Sequence, residues 1–289
     1  MTNTPAVLWM IGAIISFTSM AIAGRAVSES LDTFEIMLYR SIIGCAIVIS
    51  FALKIGTYRE INLKYFHLHV FRNVFHFTGQ NLWFFALPLI PLAQLFALEF
   101  TSPIWVVILA SFFLGEKLTF KKIFVSIVGF TGVIIIARPD FSILNIGIFT
   151  AALSAIGFAA TAILTRKLTM KNSLTKILFF LTSLQILFGL ICAGFDGKIK
   201  LPSSTELPWL VLIGISGLSA HFCMTKSLTL APASIVMPID FARLPLIAII
   251  GMLYYGELID LYLFLGSSLI FIANYMNVIQ KREKKLWIS

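Results

Sequence analysis

Runs of mostly apolar residues recur along the chain at 6–24, 36–53, 67–87, 92–114, 123–138, 146–164, 177–195, 208–226, 233–255 and 261–279, with short polar connections between them. A helix that crosses a bilayer needs about 20 such residues. The pattern therefore predicts ten transmembrane spans, and no connection is large enough for a soluble domain. Composition agrees, since 59% of the 289 residues are hydrophobic and 12% are charged, whereas soluble domains carry about 25% charged residues. In water such a chain would expose large apolar patches. The first run ends in Ala21-Ile22-Ala23, which looks like a signal-peptidase site. Met1 to Pro5 lack the Lys or Arg of a signal peptide, so the run is expected to stay as a mature span.

The formal net charge of +9 would favour nucleic acid in a soluble protein. Here the basic residues sit mainly beside spans. Fourteen of the 22 fall in the connections after spans 2, 4 and 6 and in the tail from Lys281, against Arg25, Arg138, Lys198 and Lys200 on the other side. This asymmetry predicts an even number of spans with both termini in the cytoplasm, and it leaves the bilayer as the partner of the charge, with no nucleic acid. Cys45, Cys192 and Cys223 lie inside spans without CxxC spacing and read as packing residues.

Laid without gaps over 228–257, residues 87–116 share seven of thirty positions at an offset of 141. The matches include Pro91 with Pro232, Phe100 with Phe241, and Gly115-Glu116 with Gly256-Glu257. Glu99 faces Asp240. Spans 4 and 9 are five apart, so the matching segments run in opposite directions. The basic turn at Lys117, Lys121 and Lys122 fits one side of a membrane, and the turn Glu257–Asp260, which lacks Lys and Arg, fits the other. The fold expected is an all-α integral membrane protein of ten transmembrane helices, arranged as two inverted five-helix repeats over 1–140 and 141–289. Inverted repeats of this kind suit secondary transport, with a substrate site near the midplane.

Ionisable groups inside spans are costly and mark candidate sites. In span 3, Arg72, His76, Gly79, Gln80 and Trp83 recur at helical spacing and share one face. They supply a cation, an imidazole, an amide and an aromatic surface for a charged or zwitterionic metabolite; snorkelling of Arg72 is the plain alternative. Glu99 and Asp240 could bind a cationic group or carry a proton, or Asp240 could pair with Arg243 at i+3. Arg40 faces either a cavity or Glu99. Lys226 is expected to snorkel, and His221, sharing a face with Gly214 and Gly217, to mark close helix packing. Glu116 and Glu257 read as structural. Pro91, Pro103, Pro232, Pro238 and Pro245 interrupt backbone bonding and leave kinks, hinges or free carbonyls.

Other classes fit less well. Gly214-Ile215-Ser216-Gly217 matches an intramembrane serine motif, but that chemistry needs a histidine on a later helix and His221 is the last in the chain. His67, His69 and His76 make a weak metal signal without HExxH. There is no Walker or GxGxxG loop, so no cofactor is expected and a gradient or exchange would supply the energy. A lipid-linked carrier or structural membrane subunit stays open as an alternative to a transporter.

The two Gly-Glu segments, Phe34-Glu35-Ile36-Met37-Leu38-Tyr39-Arg40 at the start of span 2, the basic residue early in span 3, and Ala231-Pro232-Ala233-Ser234 with Pro238 to Pro245 in span 9 resemble the EamA family of the drug/metabolite transporter superfamily. The resemblance covers the whole chain. It implies a ten-helix carrier with a central cavity in a bacterial inner membrane, working as a monomer or homodimer. Members move amino acids, drugs, S-adenosylmethionine or vitamins such as riboflavin. With four basic groups in or near the spans against two midspan acids, the substrate expected is a zwitterionic or anionic, amphiphilic or aromatic compound.

Overall fold

The computed structural model describes residues 4–114, 119–137, 145–230, 239, 240 and 242–286. Among these the chain is helical, without strands. In chain order the helices are α1 (Thr4–Val27), α2 (Thr33–Ile55), α3 (Phe66–Ala86), α4 (Leu92–Glu99), α5 (Ser102–Leu114), α6 (Phe120–Ala137), α7 (Ile146–Thr169), α8 (Leu174–Ala193), α9 (Leu207–Leu230), α10 (Arg243–Tyr255) and α11 (Leu261–Leu286). Five of them, α1, α2, α7, α8 and α9, are long and apolar enough to cross a membrane, and the others include shorter apolar helices. Large apolar side chains such as Ile15, Phe51, Phe124, Leu190 and Phe264 point outward, as an apolar solvent allows and water does not.

The repeat is visible in where helices begin. α2, α3, α5 and α6 start at Thr33, Phe66, Ser102 and Phe120, while α8, α9, α10 and α11 start at Leu174, Leu207, Arg243 and Leu261, each displaced by the offset of 141. The local chemistry repeats too. Asp32 caps α2 by accepting from the Glu35 backbone N–H at 2.8 Å, and Ser173 caps α8 by accepting from that of Lys176, satisfying N–H groups the helix itself leaves unpaired. Gly56 and Gly197, also partners at this offset, adopt φ of +83° and +76°, which a side chain would strain.

Equivalent helices run antiparallel. Glu35 in the first turn of α2 accepts from the Lys200 backbone N–H at 2.7 Å, beyond the end of α8. Lys176 in the first turn of α8 donates to the Lys64 carbonyl at 2.8 Å, beyond the end of α2. Each helix starts where its counterpart ends. α6 and α11 also cross head to tail, with Gly129 beside Ala273 and Gly132 against Gly266, where a Cβ would lie 2.6 Å from the Gly266 carbonyl oxygen. Two further antiparallel pairs join the halves. α1 meets α9, where Ser227 Oγ donates to the Ala6 carbonyl at 2.7 Å. α3 meets α7, where Gly79 and Gly157 bring the backbones close. Small residues at such crossings let helices approach where hydrophobic burial gives little driving force.

The predicted span 92–114 is not one helix. α4 ends at Glu99, Phe100 and Thr101 form a turn, and α5 restarts at Ser102. Pro103 in the first turn of α5 has no N–H to donate to the Glu99 carbonyl four residues back, and its ring crowds that carbonyl. α10 begins at the equivalent position, Arg243, with Pro245 in its first turn. Pro232 and Pro238 of span 9, and Glu116 of the first Gly-Glu segment, lie outside the described residues.

At one end of the molecule a single arginine ties the halves together. Arg25, at the end of α1, donates to the carbonyls of Leu87 and Ile90 and forms a salt bridge with Glu257. Glu257 also accepts from the Leu92 backbone N–H at 2.8 Å, so its carboxylate caps α4 where the helix dipole favours negative charge. The structural role expected of Glu257 is thus a specific one, and Arg25 is part of the same knot.

Candidate transport site

Most of the polar residues predicted from the sequence are buried, and they form two groups, with Arg72 apart from both. The first surrounds Arg243, the first residue of α10. Its Nη2 donates to Glu99 Oε1 at 3.0 Å and to Asp240 Oδ2 at 3.2 Å. Trp83 of α3 donates through Nε1 to Glu99 Oε2 at 2.9 Å. The guanidinium lies 4.7 Å from the Phe17 ring centroid and 5.0 Å from those of Phe96 and Phe100. The helix break assembles this group: Glu99 ends α4, Phe100 lies in the turn, and Arg243 opens α10. The i+3 pairing of Asp240 with Arg243 is present. With all three groups ionised the cluster carries one surplus negative charge, and Asp240 Oδ1 is buried without a hydrogen-bond partner.

The second group surrounds Arg40. It lies about two turns into α2 and is 6% exposed. Its guanidinium donates to Gln80 Oε1 and lies beside the sulfurs of Met20 and Met37. The sequence left open a pairing of Arg40 with Glu99. The structure gives Glu99 to Arg243 and Arg40 to Gln80, because Gln80 sits one turn nearer than Trp83 to the start of α3. His76 packs edge-on against His221 at 5.4 Å between ring centroids, and neither nitrogen of its ring has a partner. A cavity of about 20 Å³, room for a water molecule, is lined by Arg40, Gln185, Gly214, Gly217 and His221, among others. A Cβ at Gly217 would come within 2.9 Å of Arg40 Nη2. The small-residue face of α9 therefore makes space for the arginine as well as packing helices, and His221 borders that space. Lys226 is exposed.

Arg72 stands toward the other end of the α3 stripe, 4% exposed. It donates to Thr165 Oγ1 of α7 at 2.7 Å and to Asn73 Oδ1 at 3.2 Å. Among the described residues no carboxylate comes within ion-pairing distance of Arg40 or Arg72. A buried arginine without a counter-charge costs about 2.5–3.5 kcal/mol even on lenient insertion scales. The α3 stripe is real but shared out: Gly79 faces α7, Trp83 serves the Arg243 group, and only His76 and Gln80 stand by Arg40. Sequence reasoning missed Gln185, 1% exposed with an unpartnered Nε2. Amides in apolar spans are a weak signal, but Gln185 is the repeat partner of Gly44, and both line the cavity.

A family model described as the EamA-like transporter family matches residues 4–138 and 145–279, once for each repeat and with the same offset of 141. The chain belongs to the EamA-like transporter family. It is a multi-pass membrane protein that transports a small metabolite. EamA relatives include an S-adenosylmethionine uptake transporter of Rickettsia bellii, 24% identical over 95% of this chain and 94% of its own length. A riboflavin transporter of Vibrio cholerae is 26% identical over 96% of each, and one of Rhizobium johnstonii is 30% identical over 75% of this chain and 72% of its own. A solved structure titled "Crystal structure of protein" superposes with a TM-score of 0.66 at 17% identity, covering 98% of this chain and 99% of that one, and shares the fold.

Proposed function

We propose that this EamA protein is a secondary transporter of a zwitterionic or anionic metabolite with an aromatic or heterocyclic part. The observation that carries this reading is the pair of buried arginines, Arg40 and Arg72, which meet only neutral partners among the described residues. An anionic group of the substrate seated by Arg40, Gln80, His76 and His221 supplies the missing counter-charge and the missing partner for His76. Trp83 and Phe84, buried edge to face at the seam, become surfaces for a flat ring once the halves part. The names of the relatives agree with the heterocyclic part, since S-adenosylmethionine and riboflavin both carry fused nitrogen heterocycles, and S-adenosylmethionine and amino acids also carry the carboxylate that uncharged riboflavin lacks.

A cavity with room for a water cannot hold such a molecule, so loading requires the two halves to part. The break before α5 is the natural hinge, since backbone bonding is already interrupted there. The proposal includes ten spans with both termini cytoplasmic, in a bacterial inner membrane, organised as repeats 1–140 and 141–289 in a monomer or homodimer. A gradient or exchange drives it, and the chain is no enzyme. Uptake into proteoliposomes of S-adenosylmethionine, riboflavin and amino acids tests the reading. At least one is expected to accumulate in wild type and fail to do so with Arg40→Gln. Uptake that persists unchanged in the variant overturns the assignment.

A further inference from the structure

Arg243 sits where a ligand would be expected to sit. Three phenyl rings, Phe17 from α1, Phe96 from α4 and Phe100 from the helix break, surround its guanidinium within 5.0 Å. Two carboxylates converge on the same cation. Aromatic faces and carboxylates together form the environment that recognises organic cations, because ring quadrupoles attract positive charge once water is removed.

A structural ion pair explains this poorly. One arginine needs one carboxylate, and the second leaves surplus negative charge in an apolar region. Asp240 is 4% exposed and its Oδ1 has no partner. On the other side of the pair, Arg243 Nε is buried and unpartnered as well. The cluster thus has an acceptor to spare while its present cation is incompletely bonded.

We propose that Phe17, Phe96 and Phe100 with Glu99 and Asp240 form a binding site for an organic cation, a sulfonium or ammonium group, and that the Arg243 guanidinium is a tethered occupant which this group displaces. The inference rests on the transporter reading in one respect: the displacing group is the cationic end of the substrate whose anionic end meets Arg40. Two sites of opposite sign at the seam then select a zwitterion, and Arg243 keeps the carboxylates compensated while the carrier is empty.

The test uses the purified full-length protein and tetramethylammonium chloride, with sodium chloride at equal ionic strength as the reference. Tryptophan fluorescence reads binding, since Trp83 is bonded to Glu99, and Trp83→Phe assigns the signal. Wild type is expected to show a saturable change specific to tetramethylammonium. Arg243→Gln, which removes the tethered competitor, should bind it at least tenfold more tightly. Phe17→Leu, which keeps every charge and removes one wall, should weaken it several-fold in the otherwise wild-type protein. Affinity in Arg243→Gln no higher than in wild type overturns the proposal. If that variant does not fold, unchanged affinity in Phe17→Leu overturns it alone. The transporter reading fails separately: cation binding as described, with no uptake of any zwitterion or anion into proteoliposomes, would remove that reading and leave the cage.

Discussion

Arg243 and Arg40 are both buried arginines in the seam between the repeats, and their surroundings differ in one decisive respect. Arg243 faces two carboxylates and three aromatic rings. Arg40 faces an amide oxygen, two thioether sulfurs and the phenyl ring of Phe84 at 6.0 Å. The first is compensated within the protein. The second is not, and on the proposed reading its counter-charge is an anionic group of the substrate. Burial alone therefore says little about function in a membrane protein; the charge balance around each buried group says more.

The comparison breaks most visibly if the carboxylates are removed. Glu99→Gln with Asp240→Asn leaves Arg243 as a buried, uncompensated charge, and should cost about 3–5 kcal/mol of stability, read as a fall in the thermal unfolding midpoint in detergent. Arg40→Gln should do the reverse. Uptake should drop about a hundredfold, the worth of a charge-assisted contact to the substrate, while the unfolding midpoint of the empty protein stays level or rises. If Arg40→Gln instead destabilises the empty protein as the double variant does, the two arginines are alike and the distinction is lost. A smaller effect belongs to the knot at Arg25. Glu257→Ala removes a salt bridge and a helix cap, and should lower stability by about 1–2 kcal/mol without changing which substrates are carried.

The smallest effect sharpens the contrast from outside the membrane. Glu206, before α9, is held down to about 2 by hydrogen bonds, first from Ser30 and then from Ser203. A carboxylate with a depressed folded value stabilises above its unfolded value of 4.5 and loses that contribution as pH falls toward 2. Glu206→Gln should accordingly flatten acid unfolding between pH 4.5 and 2 and leave uptake at neutral pH unchanged.

Much of this was legible in the residues. The offset of 141, the paired positions Glu99 and Asp240, and the polar stripe of α3 all follow from spacing, because a gapless repeat and a 3.6-residue period are properties of sequence. Which neighbour covers a face is not. Gln80 and Trp83 share the stripe, yet one serves Arg40 and the other Glu99, and only the crossing of α3 with α2 and α4 decides that. From sequence alone Arg25 reads as a loop charge, because its partners, Leu87, Ile90 and Glu257, are distant in sequence and two of them act through backbone carbonyls. The same offset places Arg166 opposite Arg25 and Glu116 opposite Glu257, which was the available signal. Proline positions point to a kink, a hinge or free carbonyls in span 4, where the helix breaks at Phe100 and Thr101, but that this break gathers Glu99 and Phe100 beside Arg243 required the three-dimensional arrangement.

The central claim, that Arg40 waits for an anionic group of the substrate, is tested most directly by ligand-induced stabilisation of the purified protein. S-adenosylmethionine and amino acids are compared with their carboxyl methyl esters in wild type and Arg40→Gln. The free acid of the true ligand should raise the unfolding midpoint of wild type, and both esterification and Arg40→Gln should abolish the rise. A rise of equal size from acid and ester, preserved in Arg40→Gln, would contradict the account.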